Sequence, residues 1–200
     1  MNFSIRSYQK SDYAKLYEIC LKTGDSGSDA SNIYNDPLLL GHLYVAPYVV
    51  FHPELAFIIT NNNIPIGYIV GTSDSEKFYQ VTEQKWFPPL REKYPFPKEN
   101  DNSSDARIIR LIHKGHPHKS ELLDYPAHLH IDILPEGQGH GLGKKLIHIF
   151  AEKLKELEIK ALHLEVGKKN KNAQIFYEKV GFQIIKEYEY SIAYGMQLTK

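Results

Sequence analysis

The chain has almost none of the cysteine that builds covalent scaffolds. Its 200 residues include one cysteine, Cys20, one tryptophan and two methionines. A lone thiol excludes an intramolecular disulfide and fits a reducing compartment. Cys20 falls on an apolar position of a helical pattern, which predicts a buried structural thiol rather than a nucleophile. Neither sign of charge is in excess, since 24 Lys plus Arg meet 24 Asp plus Glu. Bulk charge therefore points to neither nucleic acid nor a membrane surface as partner. No apolar run approaches membrane-spanning length. The first residues, Met-Asn-Phe-Ser-Ile-Arg, lack a signal-peptide core, so a cytoplasmic location is expected. Repeats, low-complexity tracts and clear linkers are also missing. What remains is ordinary globular composition, 42% hydrophobic and 24% charged. The length suits a single domain over residues 1–200 with a sizeable core.

Periodicity supplies the element order. Phe3 to Tyr8 alternates as a strand, and Ser11-Asp12 is placed to cap a helix carrying Tyr13, Leu16, Tyr17, Cys20 and Leu21 on one face. Residues 24–31 form a Gly/Ser/Asp loop, and 36–51 predict one or two short helices interrupted at Pro47. Leu55–Thr60 and Ile64–Thr72 read as a hairpin turning at Asn61-Asn62-Asn63. Residues 75–125 break the β pattern, with a helix near Phe78–Trp86, a Pro-rich knot at 88–97 and a polar stretch at 98–106. Strands follow at Ala127–Leu134, Ala161–Val166, 182–189 and 191–198. Helices are expected at Gly141–Leu157, with Leu142, Leu146, Ile149, Phe150, Leu154 and Leu157 as its stripe, and at Asn172–Val180. The order β-α-α-β-β-(insert)-β-α-β-α-β-β implies a mixed α/β domain around one sheet.

The stretch from Ile131 to Lys145 carries the most chemistry. A strand ends at Pro135, a glycine-dense loop (Gln138-Gly139-His140-Gly141-Leu142-Gly143) follows, and a helix begins at once. Glycines allow positive φ and close backbone approach. Free N–H groups at a helix start bind phosphate oxygens, aided by the helix dipole. The loop lacks the Lys-Ser/Thr ending of a nucleotide P-loop and the GxGxxG of a dinucleotide fold. Residues 144–179 add nine lysines against five glutamates. That excess suits a polyanionic ligand, and a solvated helix face explains it as well.

Gln138-x-x-Gly141-x-Gly143 resembles the pyrophosphate motif of the GNAT family of N-acetyltransferases. About thirty residues later, Asn170-Lys-Asn-Ala-Gln-Ile-Phe-Tyr-Glu-Lys-Val-Gly-Phe182 resembles that family's last characteristic segment. The likeness implies a single domain with a central, mostly antiparallel sheet flanked by helices and splayed at the strand before the glycine loop. A narrower likeness, carried by Gly67-Tyr68, Gly71-Thr72, Trp86–Tyr94 and Tyr125–Asp132, is to the acetyltransferase-like domain of eukaryotic O-GlcNAcases and its free-standing relatives. There the glycine loop is degraded, whereas here it is intact, and no hydrolase function is implied.

The resemblance implies acetyl-CoA as co-substrate. The strand backbone at Ile131, Ile133 and Leu134 would pair with the pantetheine arm. Gly139, His140, Gly141, Leu142, Gly143 and Lys144 would receive the pyrophosphate, with Gln138 where the family has Arg or Gln. Asn170, Asn172 and Phe176 would complete the coenzyme site, and Lys171 would approach the adenosine end. Asn170 reads equally as a plain helix cap. Tyr177 is the implied general acid for the departing thiolate, its alternative being a core aromatic. His128, His130 and Asp132 share a strand face by period-two alternation. Asp132, with a raised pKa, or His130, nearer neutrality unperturbed, is the candidate base, and a satisfied buried polar network is the competing reading.

His113, His116 and His118 lack regular zinc spacing, so no metal is expected. The implied activity is acetyl transfer to a primary amine, on a small molecule or a protein, within a ternary complex. The alternative is a catalytically silent acyl-CoA-binding or interaction module. Acceptor selection is assigned to residues 24–52 and to the 75–125 insert. Asp25, Asp29 and Asp74 are candidate contacts for a cationic acceptor. Trp86, Phe87, Tyr94 and Phe96 line a groove or pack the insert. Edge strands near the C-terminus permit a homodimer.

Overall fold

The structure is a computed structural model that describes residues 1–198. Seven strands form one sheet: β1 (Phe3–Ser7), β2 (Ala56–Asn61), β3 (Ile64–Thr72), β4 (Ala127–Ile133), β5 (Ala161–Gly167), β6 (Gln183–Glu187) and β7 (Ser191–Gln197). Their spatial order is β1-β2-β3-β4-β5-β7-β6. Every neighbouring pair is antiparallel except β4–β5. That parallel pair is joined through a helix, as parallel neighbours require. The β2–β3 turn holds Asn62 at φ 49° and Asn63 at φ 67°, the left-handed pair that a tight hairpin needs and that asparagine tolerates.

Two cores lie on opposite faces of the sheet. Six helices cover one face: α1 (Tyr13–Lys22), α2 (Leu39–Tyr44), α3 (Ala46–Phe51), α4 (Ser75–Lys85), α5 (Phe87–Lys93) and α6 (Ser104–Lys114). Leu16, Ile19, Tyr48, Ile58, Tyr68, Phe78 and Phe87 are buried there. The other face is covered by α7 (Leu142–Glu156) and α8 (Lys171–Lys179). Its core includes Ile69, Leu129, Leu146, Phe150, Leu162 and Tyr177. Strand alternation sorts β4 between the two, with Leu129 on the α7 side and His128 against α3 and α4. Among the described residues no helix is long and apolar enough to cross a membrane.

Several expectations are corrected. Asp12 does not cap α1 with its side chain. Its carboxylate turns back to accept from the Gln9 amide at 2.8 Å and from Arg6 at 2.7 Å. The break between α2 and α3 falls at Val45, and Pro47 lies in the first turn of α3, where a missing N–H costs nothing. The Pro-rich stretch contains helix α5 for the same reason, with Pro88 and Pro89 at its start. The polar stretch at 98–106 contains the start of α6, which Ser103 caps by accepting from the Ala106 amide. On α7, Ile147 is buried while Ile149 is only partly covered and Leu157 is exposed. The stripe drifts because 3.6 residues per turn rotates it away from a strict 3–4 repeat.

Candidate active site

β4 separates from β5 after two residues. Only Ala127↔Leu162 and His128↔His163 pair, whereas the other edge of β4 pairs with β3 from His128 to Ile133. The register fixes which backbone groups face the gap. Leu134 donates its N–H to Ile66 O, so alternation commits residues 132, 130 and 128 to β3 as well. Ile131 and Ile133 therefore aim their N–H and C=O groups toward the gap. Of the three residues expected to contact the pantetheine, Ile131 and Ile133 stand at the open edge. Leu134 is excluded, because its amide is already spent on the sheet.

The gap opens into a cleft of about 800 Å³. One wall is Ile131, Ile133 and the glycine loop, the other β5 and α8, and a third side comes from the α1–α2 region. Gly139 (φ 76°) and Gly141 (φ 71°) turn the chain through the left-handed region, and Gly141 is the residue before α7. The first amides of α7 are therefore presented to the cleft without intrahelical acceptors. A Cβ on Gly143 would stand 3.0 Å from the Phe176 ring, so this glycine lets α7 and α8 approach. Gln138, Gly139, Gly141, Leu142, Gly143, Lys144, Asn170, Asn172 and Phe176 all line the cleft. His140 does not, since its ring packs on Phe3 with centroids 5.0 Å apart. Asn170 is the side-chain cap of α8, accepting from the Ala173 amide at 3.1 Å, and it lines the cleft too. Gln138 folds back to donate to Ile133 O at 2.8 Å. Lys171 donates to Gln174 instead of bordering the cleft. Much of the lysine excess is solvated and paired: Lys153, Lys155 and Lys168 each meet a glutamate.

Tyr177, Asp132 and His130 converge on this cleft from α8 and β4. Tyr177 packs against Phe182 and Tyr194, and burial together with the Asp132 charge raises its pKa, keeping the phenol protonated. Asp132 accepts from the Tyr68 hydroxyl at 2.5 Å. Burial lifts its carboxyl pKa above the ordinary value, and the hydrogen bonds from Tyr68 and Thr23 oppose the rise. His130 does not keep a pKa near neutrality. Burial, with smaller contributions from His116 and His163, pushes it down to about 4. It is a neutral imidazole at physiological pH.

The loop at 23–28 and Tyr44 of α2 border the cleft, and none of residues 75–125 does. The insert instead lines a second cleft of about 310 Å³, formed with Asp74, Pro126, His163 and Glu165. Glu165 borders both clefts. Asp74 caps α4 through the Lys77 amide, and Asp29 accepts from the Ser31 amide at the exposed loop. Asp25 pairs with Ser28 through its backbone and is exposed. Phe87 and Tyr94 pack the insert, Trp86 donates its indole N–H to His42 O, and Phe96 is exposed. The three insert histidines separate: His113 meets Tyr94 O, His116 stacks on Tyr79, and His118 meets Glu76. Sequence reasoning passed over Tyr48, Ser75 and Tyr68 as polar partners of β4, because they come from positions 53 to 80 residues distant.

A split sheet with a glycine loop and a helix start at the mouth of the split defines a class of domain that holds an extended, phosphate-bearing ligand between strands. Residues 109–182 match the model of the Acetyltransferase (GNAT) family. The chain is 32% identical over 114 residues to ribosomal protein bS18-alanine N-acetyltransferase of Haemophilus influenzae, covering 54% of this chain and 75% of that protein. It is 27% identical over 188 residues to Protein O-GlcNAcase of Rattus norvegicus, covering 92% of this chain and 20% of that protein. The chain thus spans about a fifth of the length of that relative. Among solved structures, SsHAT superposes with a TM-score of 0.93 at 33% identity, each chain covered completely. The PaiA N-acetyltransferase of Thermoplasma acidophilum, in complex with coenzyme A, shares the fold with a TM-score of 0.62 at 15% identity, covering 98% of this chain and 99% of that one. The chain belongs to the GNAT acetyltransferase family.

Proposed function

We propose that this chain is an acetyl-CoA-dependent N-acetyltransferase that moves an acetyl group to a primary amine within a ternary complex. The observation that carries this reading is the cleft itself. It brings the open edge of β4, the start of α7, Asp132 and Tyr177 onto one continuous surface. Acetyl-CoA would lie with its pantetheine against Ile131 and Ile133 and its pyrophosphate on the amides from Gly139 to Lys144. The amine nitrogen then attacks the thioester carbonyl carbon to give a tetrahedral intermediate. As the C–S bond breaks, Tyr177 gives its phenolic proton to the sulfur, and the amine proton passes to Asp132 or His130. The one thiol, Cys20, borders the cleft but is 3% exposed, and burial with the nearby Asp132 charge raises its pKa, so direct transfer is favoured over an acyl-enzyme.

The acceptor would enter from the side bordered by residues 23–28 and Tyr44. The insert would contribute to selection through the second cleft, at Glu165. Titration calorimetry with acetyl-CoA tests the donor, and thiol release with polyamines, amino acids, aminoglycosides and lysine peptides tests the acceptor. Saturable binding with thiol release on at least one amine is expected. Failure to bind acetyl-CoA would sink the reading. A second reading, a catalytically silent module that binds an acyl-CoA or a protein, draws on the likeness to the acetyltransferase-like domain of O-GlcNAcases, one of which matches 92% of this chain. It predicts coenzyme binding without thiol release on any amine.

A further inference from the structure

A buried chain of four polar side chains crosses from the second cleft to the first. Ser75 Oγ lies 2.6 Å from Pro126 O and 2.6 Å from His128 Nδ1. His128 Nε2 lies 2.7 Å from the Tyr48 hydroxyl, and that hydroxyl lies 3.1 Å from His130 Nε2. Ser75 borders the second cleft at 7% exposure, and beyond it His128 and Tyr48 are 5% and 1% exposed, so the inner links are made between protein groups.

The hydrogen positions follow from one fixed end. Pro126 O accepts from the Ser75 amide at 2.7 Å, and at 2.6 Å its second lone pair can only accept from Ser75 Oγ, which places the hydroxyl proton on that carbonyl. Ser75 Oγ then has only lone pairs for His128, which must donate from Nδ1. His128 is held neutral by burial and by the neighbouring histidines. Its Nε2 is therefore bare and accepts from the Tyr48 hydroxyl. Tyr48 has then used its one proton, and its oxygen accepts from His130, which must carry its proton on Nε2. In a neutral His130 the remaining nitrogen, Nδ1, bears a free lone pair. Among the described residues the buried side-chain atoms without partners are His42 Nε2 and His116 Nε2. His130 Nδ1 is not one of them and has no protein partner, while His130 lines the larger cleft. Its lone pair is open to that cleft. Around it stand the Tyr44 ring from α2, with centroids 5.5 Å apart, Tyr48 from α3, and Asp132 on the same strand.

We infer that Ser75, His128 and Tyr48 are positioning residues that lock His130 in the Nε2–H tautomer, so that Nδ1 faces the acceptor as the proton-accepting nitrogen. The inference deepens the proposed acetyltransferase reading and rests on it for its catalytic part. When the attacking amine loses its proton, the N–H bond breaks and an Nδ1–H bond forms on His130. The resulting imidazolium donates its Nε2–H to Tyr48, which polarises toward His128 and spreads the charge. Asp132, two positions on and lining the same cleft, accepts from the Tyr68 hydroxyl at 2.5 Å, a bond that favours its carboxylate form.

The test reads tautomers and turnover separately. In ¹⁵N spectra of the full chain, His128 should show a pyrrole-type Nδ1 and a pyridine-type Nε2, and His130 the reverse. Two histidines two positions apart with opposite tautomers is a pattern that generic burial does not produce. Tyr48→Phe keeps the ring that stacks on Phe78 and removes the link. It should abolish the opposed pattern and lower kcat by about 10- to 100-fold, with KM for acetyl-CoA changed by less than about twofold. Ser75→Ala should act the same way but more weakly, and it guards against a misfolded first variant. Like tautomers in the wild type, or a Tyr48→Phe variant with unchanged kcat, would overturn the inference. A wild type that transfers to no amine would instead sink the acetyltransferase reading. The tautomer pattern would still decide whether the chain of residues orients His130.

Discussion

The two halves of β4 are one strand with two different fates. From Ala127 to Leu129 it is buried, is held by β5 at its first two residues and meets β3 from His128 onward. From His130 to Ile133 it keeps β3 alone and is only partly buried. Both halves read as the same alternating pattern, yet one is scaffold and the other is a surface with unspent backbone groups. Unpaired backbone polar groups at the floor of a cleft are costly unless something completes them. In the first half the completing partner is β5. In the second half, under the proposed function, the completing partner is an extended ligand that adds to the edge as a strand would. The difference arises from divergence of β5, and the glycine loop with α7 fills the mouth of the fork.

The largest expected effect lies in the open half. Tyr177→Phe should reduce kcat by about 10²–10⁴-fold while leaving acetyl-CoA affinity within about twofold. The Tyr177 hydroxyl makes no protein hydrogen bond among the described residues, so its removal should leave thermal stability nearly unchanged. A core aromatic with no chemical role would show unchanged turnover. Truncations on the α7 side of β4 compare the halves directly. Leu129→Ala, at 3% exposure, should cost about 2–5 kcal/mol in denaturant unfolding. Ile131→Ala, two positions on and partly exposed, should cost clearly less than Leu129→Ala and should weaken acetyl-CoA binding instead. Equal losses of stability at the two positions would remove the distinction between scaffold and ligand surface.

Acid should expose the same asymmetry. His130 has its pKa lowered to about 4 from 6.5, and His128 is held well below 6.5. A depressed histidine contributes stability above its unfolded pKa and loses it as pH falls through the folded value. Asp132 runs the other way, because its raised pKa favours the folded state at low pH and that contribution fades as pH rises. The net expectation is a melting temperature that falls from pH 6.5 to pH 4. His130→Gln should flatten this slope, and Asp132→Asn should steepen it. Melts across that range that superimpose for wild type and both variants would contradict the assigned environments.

Much of this architecture was legible because local rules and tertiary structure agree. The Asn61–Asn63 turn, the Gly139–Gly143 loop and the Leu142, Leu146, Phe150 and Leu154 positions of the α7 stripe each follow from chemistry within a few residues. The open edge at Ile131 and Ile133 was legible only through resemblance, since nothing local says that β5 will diverge. Helix α5 was hidden because prolines signal a break unless they stand in a first turn. His130 was misjudged for a different reason. Its pKa depends on burial beside Tyr48 and His128, and those contacts join positions as far as 82 residues apart. Short-range spacing locates a strand face. It does not reveal what covers that face.

The smallest predicted effect is the most selective test of the open half. Gln138 donates its side-chain N–H to Ile133 O at 2.8 Å, and that oxygen is one of the groups aimed at the gap. The loop thus satisfies the last carbonyl of β4 itself and ties the glycine turn to the strand end. An exposed neutral hydrogen bond of this kind contributes about 0.5–1.5 kcal/mol net. Gln138→Ala should therefore lower stability by no more than that amount and, by loosening the loop, weaken acetyl-CoA binding about two- to tenfold. Two other outcomes are informative. If the variant binds more tightly, the side chain is a competitor that a ligand must displace, and the carbonyl belongs to the ligand. If calorimetry detects no change, the loop is held by Gly139 and Gly141 alone, and the tie to Ile133 is incidental. In either case the edge of β4 available to a ligand is redefined by one backbone group.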